Sequence, residues 1–182
     1  MIIYFFIRKK IIDKLFLFLT ILLVIIAGYT IALAENKQDI ADNDLKWFSY
    51  DQALKKSKIE NIPTLIYFYS DNCGWCRKIE DETFSDEQVK NLMNLNFAIV
   101  KINSNSARMI TKDGAGISEK EFSQKIFQVT ANPLIWFLDS DGERIAPLPG
   151  YVPIEDFINV LRYIKDAFYK EYTFPEFIEK NN

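Results

Sequence analysis

The sequence predicts an α/β fold with a central mixed β-sheet flanked by helices. The main observation is alternation: apolar, β-prone runs are separated by segments with helix-start signals, in the order β-α-β-α-α-β-α-β-β-α. Such alternation places parallel strands in one sheet with helices on both faces. A late turn signal, Asp139-Ser140-Asp141-Gly142, joins the last two strands into a hairpin and adds an antiparallel edge.

Local signals place each element. The strands are expected at residues 45–48, 64–69, 97–102, 134–138 and 143–146. The helices are expected from Ser49 or Asp51 to Lys58, from the cysteine pair to about Glu82, from a capping box at 85–88 to about Leu95, from a second capping box at 118–121, and from Pro153 through Phe168. Residues 104–116 are expected to form a loop. The globular domain should span 45–168, and 169–182 should form an aromatic, charged tail with room for a short helix from Pro175.

A pair of cysteines is the central chemical feature of the chain. Cys73-Gly74-Trp75-Cys76 follows the apolar strand at 64–69, and the chain has two cysteines in all. Unpaired N–H groups and the partial positive charge of a helix start stabilise a thiolate, the reactive form of cysteine. We expect Cys73 to be the exposed, attacking sulfur. Cys76, one turn later, is expected to be the shielded sulfur that resolves the mixed disulfide.

Other interpretations of the pair are less favoured. A closed zinc site needs four ligands, usually Cys or His, and the chain has no histidine and no third cysteine. A metal or iron–sulfur centre shared by two chains stays open as an alternative. A purely structural disulfide between residues three apart closes a very small loop, so it would add little stability.

Composition excludes further classes of function. Without histidine, Ser-His and Cys-His catalysis are excluded. The net charge is −3, and residues 1–34 hold four of the basic side chains but one acidic side chain, so the remainder is more acidic than the whole. This balance argues against nucleic-acid binding. We expect a monomer without metal or cofactor.

The N-terminus has the pattern of an export signal. Basic residues, Arg8-Lys9-Lys10 and Lys14, precede an apolar run over 15–27, and Ala32-Leu33-Ala34 ends before a polar segment. This predicts a signal peptide at 1–34, cleaved after Ala34, and a linker at 35–44. The alternative is an uncleaved membrane anchor, because the apolar segment is long enough to span a bilayer. Either case places the domain outside the cytoplasm, where disulfides persist, so we expect a periplasmic location.

The order of elements and the motifs resemble the thioredoxin family over residues 45–168. Cys73-Gly74-Trp75-Cys76 matches the active-site motif, Asn132-Pro133 matches the cis-proline that helps to bind substrate backbone, and Gly150 matches the glycine of a loop beside the site. The resemblance implies substrate binding by Trp75, Asn132, Pro133 and Gly150, with Gly74 as part of the motif. Trp75 is either a substrate-contacting aromatic or a cover on the helix start.

Finer matches, such as Glu82-Thr83-Phe84-Ser85-Asp86 and Leu148-Pro149-Gly150-Tyr151, are similar to the SoxW-type exported thioredoxins. That resemblance implies reduction of protein disulfides outside the cytoplasm, with electrons from a membrane transporter of the CcdA/DsbD type. A DsbA-like oxidant and a binding or chaperone module are the alternative functions.

The chain departs from the family at the site of proton transfer. Many thioredoxins carry a buried aspartate six residues before the first cysteine, where this chain has Tyr67. A tyrosine is not a base near neutral pH, so we expect Tyr67 to be a core residue. Water, Glu80, Lys101 or another group must then accept the proton of Cys76. Arg77 and Lys78 are expected to be solvated helix charges.

Overall fold

The computed structural model describes residues 44–181. The strands are β1 (Thr64–Tyr69), β2 (Ala98–Asn103), β3 (Met109–Lys112), β4 (Ala115–Ser118), β5 (Leu134–Leu138) and β6 (Arg144–Pro149). The helices are α1 (Tyr50–Glu60), α2 (Gly74–Lys78, continued by a π-helix over Ile79–Thr83), α3 (Glu87–Asn96), α4 (Glu119–Glu121, continued by a π-helix over Phe122–Ile126), α5 (Ile154–Lys165) and α6 (Phe174–Asn181), with a 3-10 turn at Phe168–Lys170. The expected signal peptide and nearly all of the expected linker lie outside the described residues. Between residues 44 and 181, no helix has the length and hydropathy of a membrane span.

The central sheet is mixed, as predicted, and has the order β2-β1-β5-β6. β1 pairs in parallel with β2, whereas β5 is antiparallel to both β1 and β6. The expectation that antiparallel pairing is confined to the last hairpin is therefore wrong. After α4 the chain reaches β5 through residues 127–133. β5 enters the sheet at the end where β1 and β2 finish, so it runs antiparallel to β1.

Side chains on the two faces of the sheet form two apolar clusters. Leu65 and Tyr67 of β1 point into the first cluster, together with residues of α2, α3 and α5. Ile66 and Phe68, the alternate residues of the same strand, point into the second cluster, with residues of α1 and α4. Because β1 is buried on both faces, its sequence is a nearly continuous apolar run.

The last strand and α5 differ from the prediction in their ends, since β6 extends to Pro149 and α5 ends at Lys165. Three further local predictions differ from the structure. Residues 45–48 do not form a strand; Phe48 alone bridges to Val100, because the chain turns into α1 at Tyr50. The cap of α3 is Asp86, whose carboxylate accepts from the N–H of Val89, whereas Ser85 bonds back to the preceding turn. The expected loop at 104–116 contains the β3–β4 hairpin, which turns at Asp113-Gly114.

The C-terminal tail packs onto the domain. The predicted short helix is α6, and its Phe177 is buried. The ring of Phe177 lies 5.3 Å from that of Tyr163 on α5 and 5.0 Å from that of Phe168. This contact extends the first apolar cluster, because Tyr163 itself packs against that cluster.

Candidate active site

The cysteine pair lies where β1 ends and α2 begins. The N–H of Cys73 donates to the carbonyl of Ser70, which closes a tight turn after the strand. Cys73 is the N-cap of α2 and forms a disulfide with Cys76, with the two Cα atoms 5.2 Å apart. Cys76 is 2% exposed, whereas Cys73 is partly exposed. The difference in exposure gives the two sulfurs different access to a large partner.

The start of α2 places a backbone N–H donor against the sulfur of Cys73. The backbone N–H of Cys76 donates to Sγ of Cys73 over 3.0 Å. This donor is one of the N–H groups that a helix start leaves without a backbone acceptor. In the reduced protein the same donor would favour the thiolate over the thiol at Cys73, because a charged acceptor makes the stronger hydrogen bond.

The loop before β5 lies at the same end of the sheet. Phe68 of β1 pairs with Leu134 of β5, so Pro133 is placed beside the end of β1. The Asn132–Pro133 peptide bond is cis. The side-chain oxygen of Asn132 accepts a hydrogen bond from the hydroxyl of Ser104 over 3.1 Å, and the N–H of Ser104 donates to the carbonyl of Tyr69. These bonds connect the end of β1, the loop after β2 and the loop before β5.

Gly150 holds the loop after β6 against the proline loop. Its N–H donates to the carbonyl of Pro133 over 2.9 Å, and its φ of +81° lies in the left-handed region that favours glycine. Gly74 has no such requirement, since a Cβ atom there would meet nothing within 4 Å and its φ is not positive.

An aromatic surface lies beside the cysteine pair. The side chain of Trp75 is 59% exposed, and its ring centroid lies 5.9 Å from that of Tyr151. Nζ of Lys78 lies 5.3 Å from the centroid of Trp75 and 4.5 Å from that of Tyr151, within range of a cation–π interaction. The hydroxyl of Tyr151 donates to Oε2 of Glu82 over 2.6 Å, and this hydrogen bond raises the pKa of Tyr151.

Three polar side chains, Tyr67, Glu80 and Lys101, contact one another near Cys76. Tyr67 is fully buried, and its hydroxyl donates to Oε1 of Glu80 over 3.0 Å. The same hydroxyl lies 3.4 Å from the carbonyl of Cys76. Glu80 forms a salt bridge with Lys101, whose Nζ is 2.9 Å from Oε2 and 4.5 Å from the ring centroid of Tyr69. Burial, and then the negative charge of Glu80, raises the pKa of Tyr67 far above its usual range, so this tyrosine stays neutral.

The structure brings Cys73, Gly74, Trp75, Cys76 and the Asn132–Pro133 bond to one end of the sheet, with Gly150 linked to that bond. Four residues not predicted as site residues take part in its contacts: Lys78, Glu82, Ser104 and Tyr151. Tyr151 follows Gly150 directly in the sequence and was the one most open to prediction. No group of three or more Cys, Asp or Glu side chains converges as a metal site within residues 44–181.

Comparisons with known proteins agree with this architecture. A family model for the thioredoxin-like domain matches residues 50–165. The chain is 28% identical over 129 residues to the disulfide bond reductase DsbH of Chlamydia pneumoniae, covering 67% of this chain and 74% of that protein. It superposes on a thioredoxin-fold protein from Helicobacter pylori with a TM-score of 0.57 at 23% identity, covering 66% of this chain and 80% of the other. For a thioredoxin from Thermus thermophilus the TM-score is 0.54 at 23% identity, with 66% and 87% covered. At these identities the two structural likenesses establish the fold.

Proposed function

Because the chain belongs to the family of thioredoxin-like domains, we propose that it is an extracytoplasmic thiol–disulfide oxidoreductase that reduces protein disulfides through Cys73 and Cys76. The similarity to a protein named disulfide bond reductase supports the reducing direction. The SoxW-type subgroup is part of this proposal and rests on the sequence motifs.

A single observation carries the proposal: Cys73 and Cys76 form a disulfide at a helix start, and one of them is exposed more than the other. A disulfide that closes a loop of this size contributes little to stability, so its value to the protein lies in reversible chemistry. The partly exposed Cys73 meets the partner, and the buried Cys76 is protected from unrelated thiols.

The reaction exchanges two electrons and two protons. In the reduced protein, the thiolate of Cys73 attacks one sulfur of the client disulfide, a bond forms between the two sulfurs, and the client's other sulfur leaves as a thiolate. The thiolate of Cys76 then attacks Sγ of Cys73, which restores the internal disulfide and releases the second client thiolate. The client gains two electrons and two protons, and the pair is oxidised to the disulfide form described above.

We propose that Glu80 accepts the proton of Cys76 in the second step. Glu80 follows Cys76 by one helical turn, and its carboxylate is fixed between the hydroxyl of Tyr67 and Nζ of Lys101. Tyr67 stays protonated, so it orients Glu80 rather than accepting the proton itself. In this arrangement Tyr67 and Lys101 are positioning residues.

Each turnover oxidises the cysteine pair, so electrons must come from another protein to reduce it again. The signal-like N-terminus supports a location outside the cytoplasm, so these electrons have to cross the membrane. A membrane transporter of the CcdA/DsbD type is the proposed donor, since it passes electrons across the bilayer by thiol–disulfide exchange. Proteins with disulfides are the proposed substrates, and Trp75, Asn132, Pro133 and Gly150 are the proposed residues of the substrate site.

Turnover with a model disulfide tests the proposal. The purified protein, supplied with a small dithiol, should reduce the disulfides of a model protein above the background of the dithiol alone. Cys73→Ser should reduce this turnover to background, because the attacking sulfur is lost. A wild-type rate equal to background would contradict the proposal and would favour a binding module.

A further inference from the structure

Trp75, Lys78, Glu82 and Tyr151 form a continuous surface beside the cysteine pair, which we name the aromatic–lysine surface. Its apolar part is the exposed ring of Trp75, which stands between the two cysteines in the chain. Tyr151 comes from the loop after β6, and that loop is tied to Pro133 through Gly150. The surface therefore adjoins the disulfide and the proline loop, so a client bound at Cys73 must meet it.

Lys78 and Glu82 contact the aromatic part of this surface, the rings of Trp75 and Tyr151, at opposite ends. Nζ of Lys78 lies over the rings of Trp75 and Tyr151. The far end of Tyr151 is fixed by the hydrogen bond from its hydroxyl to Glu82. These contacts restrain the two rings, so less conformational entropy is lost when a client binds than with unrestrained side chains.

The charge of Lys78 is not neutralised by a neighbouring carboxylate. Across residues 44–181, neither Lys78 nor Arg77 forms a salt bridge. Glu82 follows Lys78 by four residues, a spacing that allows pairing along a helix, yet its Oε2 is bound to the hydroxyl of Tyr151. Oε2 of Glu82 is thus paired with Tyr151 and not with Lys78. Asp81, three residues after Lys78, also forms no salt bridge among residues 44–181.

We propose that the aromatic–lysine surface selects clients whose disulfide cysteine is flanked by an apolar side chain and a carboxylate. Trp75 contacts the apolar side chain, Lys78 attracts the carboxylate, and Tyr151 supports this selectivity by binding the carboxylate of Glu82, which is then not paired with Lys78. The inference rests on the proposed disulfide reduction and names the class of client that the reduction prefers. It makes Lys78 and Tyr151 specificity-determining residues.

Two synthetic disulfide substrates test this selectivity. One is the disulfide-linked dimer of a short peptide with Cys-Leu-Asp, and the other is the same dimer with Cys-Leu-Lys. The kcat/KM of the wild-type protein should be about three- to fivefold higher for the Asp peptide than for the Lys peptide. This is the size of effect expected when an exposed Lys78 attracts the carboxylate of one peptide and repels the ammonium group of the other. The ratio should shrink toward one in 0.5 M salt, since exposed charges are screened.

Four variants separate the roles of the surface residues. Lys78→Gln should bring the ratio toward one, whereas Lys78→Arg should keep it. Tyr151→Phe removes one oxygen and frees Glu82, so the ratio should fall, and Tyr151→Phe combined with Glu82→Gln should restore it. Lys55→Gln is the matched control, because Lys55 is an exposed lysine on α1, and it should keep the wild-type ratio.

The outcomes distinguish the two proposals. If the wild-type protein reduces both peptides with equal efficiency, or if Lys78→Gln and Tyr151→Phe keep the wild-type ratio, the selectivity is overturned and disulfide reduction stands. If the wild-type protein reduces neither peptide nor a small disulfide such as hydroxyethyl disulfide, both proposals are overturned. Thermal unfolding of each variant verifies that the domain is folded in every comparison.

Discussion

The hydroxyl of Tyr67 donates a hydrogen bond to the carboxylate of Glu80 across the interior behind Cys76, with 3.0 Å between the oxygens. Tyr67 stands at the position where many thioredoxins have a buried aspartate. Here the carboxylate comes from the helix instead of the strand, and the strand supplies the neutral group that orients it. This exchange of roles leads to two predictions.

The first prediction concerns stability at high pH. Burial and the charge of Glu80 raise the pKa of Tyr67, so the folded state keeps its phenolic proton more tightly than the unfolded state, where the pKa is about 10. The resulting stabilisation is fully present below pH of about 10 and is lost as the pH rises further. Above that pH, the free energy of unfolding should therefore fall less steeply with pH in Tyr67→Phe than in the wild-type protein. The two slopes should differ by about 1 kcal/mol per pH unit.

Urea unfolding of the oxidised protein at several pH values between about 9 and 11 measures this difference. The wild-type protein and Tyr67→Phe are compared at the same salt concentration. Equal slopes for the two proteins would show that Tyr67 titrates as it does in the unfolded chain.

The second prediction concerns the resolving step. Glu80→Gln removes the proposed proton acceptor, so release of the second thiol from a mixed disulfide on Cys73 should slow by at least about tenfold near neutral pH. The difference should narrow as the pH is raised, because the thiol of Cys76 can then lose its proton to solvent without Glu80. Stopped-flow absorbance with a chromophoric leaving thiol measures this step.

Glu179→Gln is the control for this prediction, because Glu179 is an exposed carboxylate on α6 in a part of the chain remote in sequence from the cysteine pair. It should keep the wild-type rate at every pH. If Glu80→Gln also resolves the mixed disulfide at the wild-type rate, the proton goes elsewhere and the proposed role of Glu80 is wrong.

A third prediction compares two glycines of the site. Gly150 has a φ of +81°, and a Cβ atom at this position would have no neighbour within 4 Å. Gly150→Ala should therefore destabilise the folded domain through backbone strain alone, by about 1–2 kcal/mol. Gly74 also has open space but no positive φ, so Gly74→Ala should be neutral or slightly stabilising. Denaturant unfolding of the two variants measures both effects, and equal stabilities would refute the role assigned to the conformation of Gly150.

Much of the fold could be predicted, because buried strands are apolar runs in the sequence and helices begin at capping residues. β1 is an apolar run that ends at the cysteine motif, and it is found at the predicted residues. The resemblance to thioredoxins is confirmed by the match to the family model over 50–165. The sequence does not predict the β3–β4 hairpin, because its strands are short and partly exposed and so lack a clear apolar alternation. The dipeptide Asp113-Gly114 is a hairpin signal, but it needs such flanking strands to be interpreted as one.

The surroundings of the cysteine pair were less predictable, because they depend on contacts between distant parts of the chain. The sequence named Glu80 and Lys101 as two options among several, but their salt bridge joins α2 to β2 and appears only in the fold. The contact of Trp75 with Tyr151 joins residues 75 and 151, and neither residue alone predicts it. Lys78 was expected to be a solvated charge, whereas it lies over two rings.

A fourth prediction is that Cys76→Ala traps clients. Without the resolving sulfur, Cys73 should stay linked to the client by a mixed disulfide that survives denaturing, non-reducing electrophoresis and disappears on reduction. Cys73→Ala in the same experiment should trap far less, since Cys76 is 2% exposed. Equal trapping by the two variants would contradict the assignment of Cys73 as the attacking sulfur.

The central claim, that Cys73 and Cys76 act as a reducing pair, is tested most directly by the redox equilibrium of the protein with glutathione buffers. The fraction of protein in the disulfide form, followed by thiol alkylation, gives the reduction potential of the pair. We predict a value near that of thioredoxin, about −270 mV. A value near that of the oxidant DsbA, about −120 mV, would contradict the proposed direction of electron transfer.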